Sequence, residues 1–167
     1  MHSTTYRLLL AIGGMGLSGC VYSFRSGALP PQVRTITIMP FTNEATLVVP
    51  TLVQTLTEAV RQKFVTQSSL ILSTGKSDLT LYGRIIDFKV APVAIQGSQQ
   101  AAQNRLSITV EVRCMSEAFP ELRWEQTFMN FSDFPAAQPL SQVQEALVSD
   151  ISDRIAQDIV NKTLSNW

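Results

Sequence analysis

The sequence predicts an α+β fold, a two-layer sandwich in which two helices pack on one face of a mixed sheet of about four strands. Periodic segments follow one another in the order strand, helix, strands, helix, which is typical of helices segregated to one side of a sheet. Two segments repeat apolar residues at helical spacing, and the segments between them alternate apolar and polar residues. Hydrophobic residues make up 45% of the 167 residues, enough for a packed core.

The first strand and the first helix are predicted near the start of the domain. Residues 35–39 alternate and are rich in β-branched side chains, and Pro40 ends the strand. Residues 42–50 form a loop. The helix follows, because Thr51 and Gln54 have the spacing of a capping box. Its apolar stripe consists of Leu52, Leu56, Ala59, Val60 and Phe64.

The middle of the chain predicts strands. Residues 70–72 form a short strand and residues 79–93 a longer one, whose apolar alternation changes phase near residues 83–86 and so predicts a bulge or a bend. Residues 96–103 form a polar loop. Residues 106–114 alternate strictly and give the clearest half-buried strand, on which Cys114 is expected to be a buried, inert thiol.

The last strand and the last helix complete the domain. After a loop at residues 117–121, Leu122, Trp124 and Phe128 are expected to face inward on a strand, and residues 133–139 form a connection. Ser141 and Gln144 again have capping-box spacing. The helical stripe consists of Leu140, Val143, Leu147, Ile151, Ile155, Ile159 and Leu164. The first strand–helix–strand unit is expected to pair in parallel and the later strands as an antiparallel meander.

Residues 1–19 have the pattern of a bacterial lipoprotein signal peptide. Arg7 precedes a short apolar run, too short to span a membrane as a helix, and the run ends in Leu17-Ser18-Gly19-Cys20. We therefore expect cleavage before Cys20 and acylation of its thiol, which anchors the chain in a membrane. The residue after Cys20 is valine rather than aspartate, and by resemblance to enterobacterial sorting signals this points to the outer membrane. Residues 20–34 are the acylated cysteine and its tether, and residues 35–167 are a single domain.

Composition excludes several classes of protein. The chain has 13 basic and 13 acidic residues, so it lacks the positive excess of a nucleic-acid-binding protein. Its one histidine is His2, and no Gly-x-Ser-x-Gly motif is present, which argues against the common hydrolase devices. Residues 73–77 end in Gly-Lys-Ser but lack the first glycine of a phosphate-binding loop. We expect no enzyme activity, no cofactor and no metal.

The expected binding surface is the sheet face that the helices leave uncovered. It is predicted to be polar, with few apolar side chains, and consists of Tyr82, Arg84, Lys89, Ser107, Thr109, Glu111 and Arg113. Two interpretations stay open for it. The face is either simply solvated or a contact surface for a polar partner or an anionic glycolipid, since arginine pairs well with phosphate.

A set of short segments covers nearly the whole mature chain in order. The segments are Tyr22-Ser23-Phe24, Leu29-Pro30-Pro31, Pro50-Thr51-Leu52, Thr57-Glu58-Ala59, Lys63-Phe64, Pro92-Val93-Ala94-Ile95, residues 104–110, Asp133-Phe134, Asn161-Lys162 and Asn166-Trp167. Together they resemble the LptE family of lipopolysaccharide-assembly lipoproteins, in the form found in Bacteroidota. The resemblance implies a plug for the outer-membrane β-barrel LptD, the pair placing lipopolysaccharide in the outer leaflet. It also implies lipopolysaccharide contact through basic residues. Strand geometry makes Arg84, Lys89, Arg105 and Arg113 the candidates for that contact.

One alternative comes from a different class of protein. Ile38-Met39-Pro40-Phe41 resembles the start of outer-membrane lipoproteins that activate penicillin-binding proteins and of related secretion lipoproteins. Such activators cross the periplasm on long tethers. Here 14 residues separate Cys20 from residue 35, at most about 50 Å of extended chain. The short tether favours a partner at the outer membrane.

Overall fold

The computed structural model describes residues 29–46, 49–93 and 102–165, and the predicted signal peptide and Cys20 lie outside these ranges. The helices are α1 (Pro50–Gln67) and α2 (Leu140–Ser165). The strands are β1 (Thr35–Ile38), β2 (Thr42–Asn43), β3 (Ile71–Leu72), β4 (Leu79–Val93), β5 (Gln103–Met115) and β6 (Trp124–Pro135).

The strands form one sheet in the order β3-β1-β4-β5-β6, with β2 also paired to β4. β1 is parallel to β3 and β4, while β4, β5 and β6 form an antiparallel meander, as predicted. The expectation of about four strands omitted β2, which lies in the predicted loop. β2 and β3 are two residues long, and segments this short carry little periodic signal.

The predicted irregularity in β4 is a β-bulge. Ile85 pairs with Val110 and Asp87 with Thr109, so Ile86 is the extra residue. Before the bulge Leu79, Leu81 and Ile85 face the core, and after it Phe88 does. The phase change in the sequence therefore marked the bulge correctly.

Both helices lie on one face of the sheet and bury the apolar stripes predicted for them. The fully buried side chains include Leu52, Leu56, Val60 and Phe64 from α1 and Ile151, Ile155 and Ile159 from α2. Lys63 pairs with Asp153, and one turn later Gln67 bonds to Gln157. The contacts advance in the same direction along both helices, so α1 and α2 run parallel.

The predicted capping boxes are wrong. α1 has Val49 as its N-cap and Pro50 in its first turn, so Thr51 lies inside the helix and no side chain caps it. α2 begins at Leu140, which places Ser141 inside its first turn. Proline at the first helical position needs no hydrogen-bond partner for its nitrogen, and this explains the earlier start of α1.

Three further boundaries differ from the prediction. Leu122 is buried, but it ends a 3₁₀ helix (Pro120–Leu122) rather than lying on a strand. β6 continues to Pro135 through residues assigned to the connection, because Asp133 and Phe134 pair with Arg105 and Asn104. Within the predicted polar loop, Gln103 is the first residue of β5, and residues 94–101 lie outside the described ranges.

Candidate partner-binding surface

The side of β4, β5 and β6 turned away from the helices is hereafter called the open face. It consists of Thr80, Tyr82, Arg84, Asp87, Lys89, Ala91, Arg105, Ser107, Thr109, Glu111, Arg113, Met115, Glu125, Thr127, Met129, Phe131 and Asp133. The alternation of the three strands places these side chains together, because neighbours on paired strands share a face. The structure thus brings Arg84, Lys89, Arg105 and Arg113 to one surface.

Three of the four candidate cations carry a carboxylate partner. Arg84 donates to Glu111 through Nε (2.8 Å) and Nη2 (3.0 Å), and its Nη1 donates to Glu44 (2.9 Å). Arg113 donates to both carboxylate oxygens of Glu125, at 3.0 and 3.1 Å. Each is a two-point contact between a planar guanidinium and a carboxylate, which fixes geometry as well as charge.

Arg105 is held on two sides. Its Nε and Nη2 donate to Asp133 at 2.7 and 2.9 Å, and its Cζ lies 3.7 Å from the ring centroid of Phe131. The guanidinium therefore stacks on an aromatic face while its edge binds a carboxylate, an arrangement that lysine cannot reproduce.

These contacts change the acidity of the groups involved. Hydrogen bonding to Glu111 raises the pKa of Arg84, and the same bond lowers the pKa of Glu111. Hydrogen bonding likewise lowers the pKa of Asp133 and raises the pKa of Arg105. The pKa of Arg113 is raised by its bond to Glu125. Every shift favours the charged form of the group, so the pairs stay ionised at neutral pH.

Lys89 differs from the three arginines, because it forms no ion pair with any residue that the structure describes. It lies in the same cross-strand row as Ser107 and Phe131. Of the four candidates, it is the one without a carboxylate partner among the described residues. The strands of the open face carry four basic and four acidic side chains, Asp87 completing the acidic set, so the surface as a whole is neutral.

The open face is less polar than the sequence analysis predicted. Met129 is 61% exposed and Phe131 37%, and both project from β6 beside the arginine pairs. Tyr82 and Met115 are exposed on the same surface. The alternation that turns Phe128 inward also turns Met129 and Phe131 outward, so the signal for them was present in the sequence. The face is amphipathic, with an apolar strip along β6.

A shallow cleft of about 500 Å³ lies at the end of the open face where β4 begins. Lys76, Arg113 and Arg123 line it together with Tyr82 and Glu117. Lys76 pairs with Glu117 at 3.2 Å, and Nε of Arg123 donates to the carbonyl of Ser116 at 2.6 Å. Lys76 and Ser77 of the Gly-Lys-Ser motif line the cleft. Lys76 pairs with Glu117, and the hydroxyl of Ser77 donates to the carbonyl of Leu79.

Among residues 29–46, 49–93 and 102–165, no group of three or more His, Cys, Asp or Glu side chains is arranged to hold a metal ion. Neither α1 nor α2 is long and apolar enough to cross a membrane.

Comparison with protein families decides the relationship of this chain. The family model described as LptE, lipopolysaccharide-assembly, matches residues 33–163, which is most of the sequence. The chain belongs to the LptE family. No functionally curated protein is a significant match to the sequence.

Solved structures share the fold at low sequence identity. A minor lipoprotein from Acinetobacter baumannii is 13% identical, with 78% of this chain and 92% of that chain covered and a TM-score of 0.51. A hypothetical protein from Chlamydia trachomatis is 9% identical, with coverages of 78% and 95% and a TM-score of 0.52. A protein from Xanthomonas campestris is 10% identical, with coverages of 81% and 88% and a TM-score of 0.53. These likenesses support the LptE fold and no particular ligand.

Proposed function

We propose that this LptE-family chain is an outer-membrane lipoprotein, anchored through acylated Cys20, that plugs an LptD-type β-barrel and assists lipopolysaccharide insertion. The observation that carries the proposal is the open face, where three arginines are each matched by a carboxylate. The interior walls of large outer-membrane barrels are polar. A plug in such a lumen presents polar side chains without burying unmatched charge, because an unpaired buried charge is costly.

Lipopolysaccharide contact is part of the same proposal. Lipopolysaccharide has a phosphorylated headgroup beside acyl chains, so it suits a surface that combines cations with apolar side chains. On the open face, Lys89 supplies charge without first breaking an ion pair, while Arg84, Arg105 and Arg113 must exchange a carboxylate for a phosphate. Met129 and Phe131 lie on the adjacent strand. We assign the protein a binding role and no catalytic step.

Depletion of the protein tests the function. Surface lipopolysaccharide and the assembly state of the barrel are expected to fall together, and the chain is expected to copurify with the barrel from detergent-solubilised membranes. A chain that is extracted as a free monomer, with normal surface lipopolysaccharide after depletion, would refute the proposal. Mass spectrometry of the mature amino terminus tests acylation of Cys20 separately.

The alternative was a regulatory lipoprotein, argued from Ile38-Met39-Pro40-Phe41. In the structure this segment has a packing role. Ile38 and Phe41 are buried, and the backbone N–H of Met39 donates to the carbonyl of Leu81 at 3.0 Å. The pattern is accounted for by the core, so it adds no support for an enzyme partner.

A further inference from the structure

The two edges of the sheet differ in length. At one edge β3 is two residues long, and at the other β6 runs for 12 residues. Among the described residues, β6 pairs with β5 on one side only. An edge strand of this length presents a row of backbone N–H and C=O groups that can pair with another strand.

β6 lacks several of the features that protect natural edge strands, namely lysine, an internal proline, a bulge and short length. Such strands usually contain lysine or proline, carry a bulge or are very short. β6 contains no lysine, and its proline is the terminal Pro135. Its pairing with β5 is regular from Trp124 to Pro135. Met129 and Phe131 add exposed apolar surface at the centre of the strand.

Both acidic residues of β6 are in ion pairs, so the charge left beside the middle of the strand comes from α2. Glu125 and Asp133 are neutralised by Arg113 and Arg105. Asp158 of α2 lies on the helix side of the strand, where its Oδ2 accepts a hydrogen bond from Nδ2 of Asn130 at 2.8 Å. It forms no ion pair with the described residues. The middle of β6 is therefore apolar on the open face and acidic on the helix side.

Among residues 29–46, 49–93 and 102–165, no segment pairs with the outer side of β6. Residue 29, where the described chain begins, lies in a groove with Leu70 and Ile71, at the opposite edge of the sheet.

A second copy of the chain fits poorly. The β6 strand of a second copy contains no lysine or arginine, so it supplies no cation for Asp158. Self-pairing centred on Asn130 brings both Asp158 carboxylates beside one two-fold axis. Like charges that face each other across paired strands are destabilising.

We infer that the β6 edge is a docking site for an extended segment of a partner protein, which adds to the sheet as a further strand. The segment carries apolar side chains toward Met129 and Phe131, and a lysine or arginine on the helix side within reach of Asp158. Backbone hydrogen bonds supply affinity in this mode of recognition, and alternate side chains supply specificity. This inference rests on the proposed function, which supplies the partner protein, and it adds where on this chain the partner makes contact.

A synthetic peptide tests the edge without the barrel. The probe is a fluorescent peptide of about nine residues, alternating valine and threonine, with lysine in place of the central threonine. It is titrated into the full acylated chain in detergent and followed by anisotropy. We expect saturable binding, and a loss of at least about tenfold in affinity when the lysine is replaced by glutamate. Amide hydrogen exchange of β6 is expected to slow in the complex.

Matched variants locate the site. Met129→Lys and Asp158→Asn are each expected to weaken peptide binding about tenfold. Val65→Lys is the control, because Val65 is also 61% exposed but lies on α1. Unchanged thermal unfolding shows that each variant is folded. Three outcomes would overturn the inference. The peptide does not bind, Met129→Lys leaves its affinity unchanged, or the chain self-associates through β6 in place of binding the peptide. Peptide binding by a chain that does not copurify with a barrel would refute the function and leave the edge site standing.

Discussion

The ring of Phe41 lies directly over Gly83, so closely that a Cβ atom on Gly83 would sit 2.1 Å from Cε1 of Phe41. Gly83 is in β4 and Phe41 follows β1, and Phe41 is 2% exposed. A glycine inside a strand often marks such a close approach. The chain leaves β1 at Pro40 and buries its next side chain against the one position of β4 without a side chain.

Gly83→Ala is therefore expected to destabilise the fold. The ring that the new methyl group would meet is buried, and overpacking of this kind costs about 1–3 kcal/mol. Urea unfolding measures the loss. Gly75→Ala is the control, because no atom lies within 4 Å of the position its Cβ would take. In the Phe41→Leu background the penalty for Gly83→Ala should shrink, and an equal penalty in both backgrounds would contradict the contact.

Thr57 joins α1 to the segment after β1. Its hydroxyl donates to the carbonyl of Val53 at 2.7 Å and accepts from the backbone N–H of Phe41 at 3.2 Å, and the residue is buried. Thr57→Val keeps the shape but leaves that N–H without an acceptor, which should lower the free energy of unfolding by about 1–3 kcal/mol. Thr57→Ser keeps the hydroxyl and should cost less, as measured by the same denaturant titration.

Asp78 holds the start of β1. Its Oδ2 accepts from the backbone N–H of Arg34 and Thr35, both at 2.9 Å, and from the Thr35 hydroxyl at 2.8 Å. These bonds lower the pKa of Asp78 below its usual 3.8. Because the folded-state pKa is the lower one, the stabilisation is complete above the unfolded-state pKa and is lost as pH falls through the folded-state value.

Asp78→Asn isolates this effect. The difference in unfolding free energy between wild type and variant should be constant near neutral pH and should shrink below about pH 4. Asp133 and Glu111 also titrate in acid, but they are present in both proteins and cancel. A difference that does not depend on pH would show that the carboxylate charge contributes nothing there.

Cys114 is fully buried on the core side of β5, and burial raises the pKa of its thiol to about 12. The thiolate is the reactive form, so Cys114 in the native protein should react with a thiol reagent only as the protein unfolds. Labelling should follow the urea unfolding curve. Rapid labelling without denaturant would contradict the burial.

Lys89 should matter more than the arginines for binding of purified lipopolysaccharide. Lys89→Ala removes a charge that has no carboxylate partner among the described residues, whereas Arg84→Ala removes one that already has two. We expect the affinity to fall several-fold for Lys89→Ala and less for Arg84→Ala. Vesicles that contain lipopolysaccharide, measured at fixed ionic strength, give the comparison. The opposite ranking would assign the contact to the arginine pairs.

The sequence predicted the layers of this fold well, because long apolar stripes and strict alternation can be recognised in the sequence without knowledge of tertiary contacts. The bulge at Ile86 was visible as a change of phase. The short strand β3 was predicted at residues 70–72, but the two-residue strand β2 was missed, because it is too short to show a period and its pairing depends on β4. The ion pairs were beyond prediction. Arg105 meets Asp133 only in the observed β5–β6 register, and a shift of one residue would place them on opposite faces.

The matched charges of the open face also bear on how fast the proposed partner would bind to it. A surface that carries its own counter-charges projects little field beyond the Debye length, about 8 Å at physiological ionic strength. Encounter with a partner is then not hastened by long-range attraction, and its rate should change little between dilute and concentrated salt. Binding at the open face should therefore proceed at much the same rate in fresh and in saline surroundings.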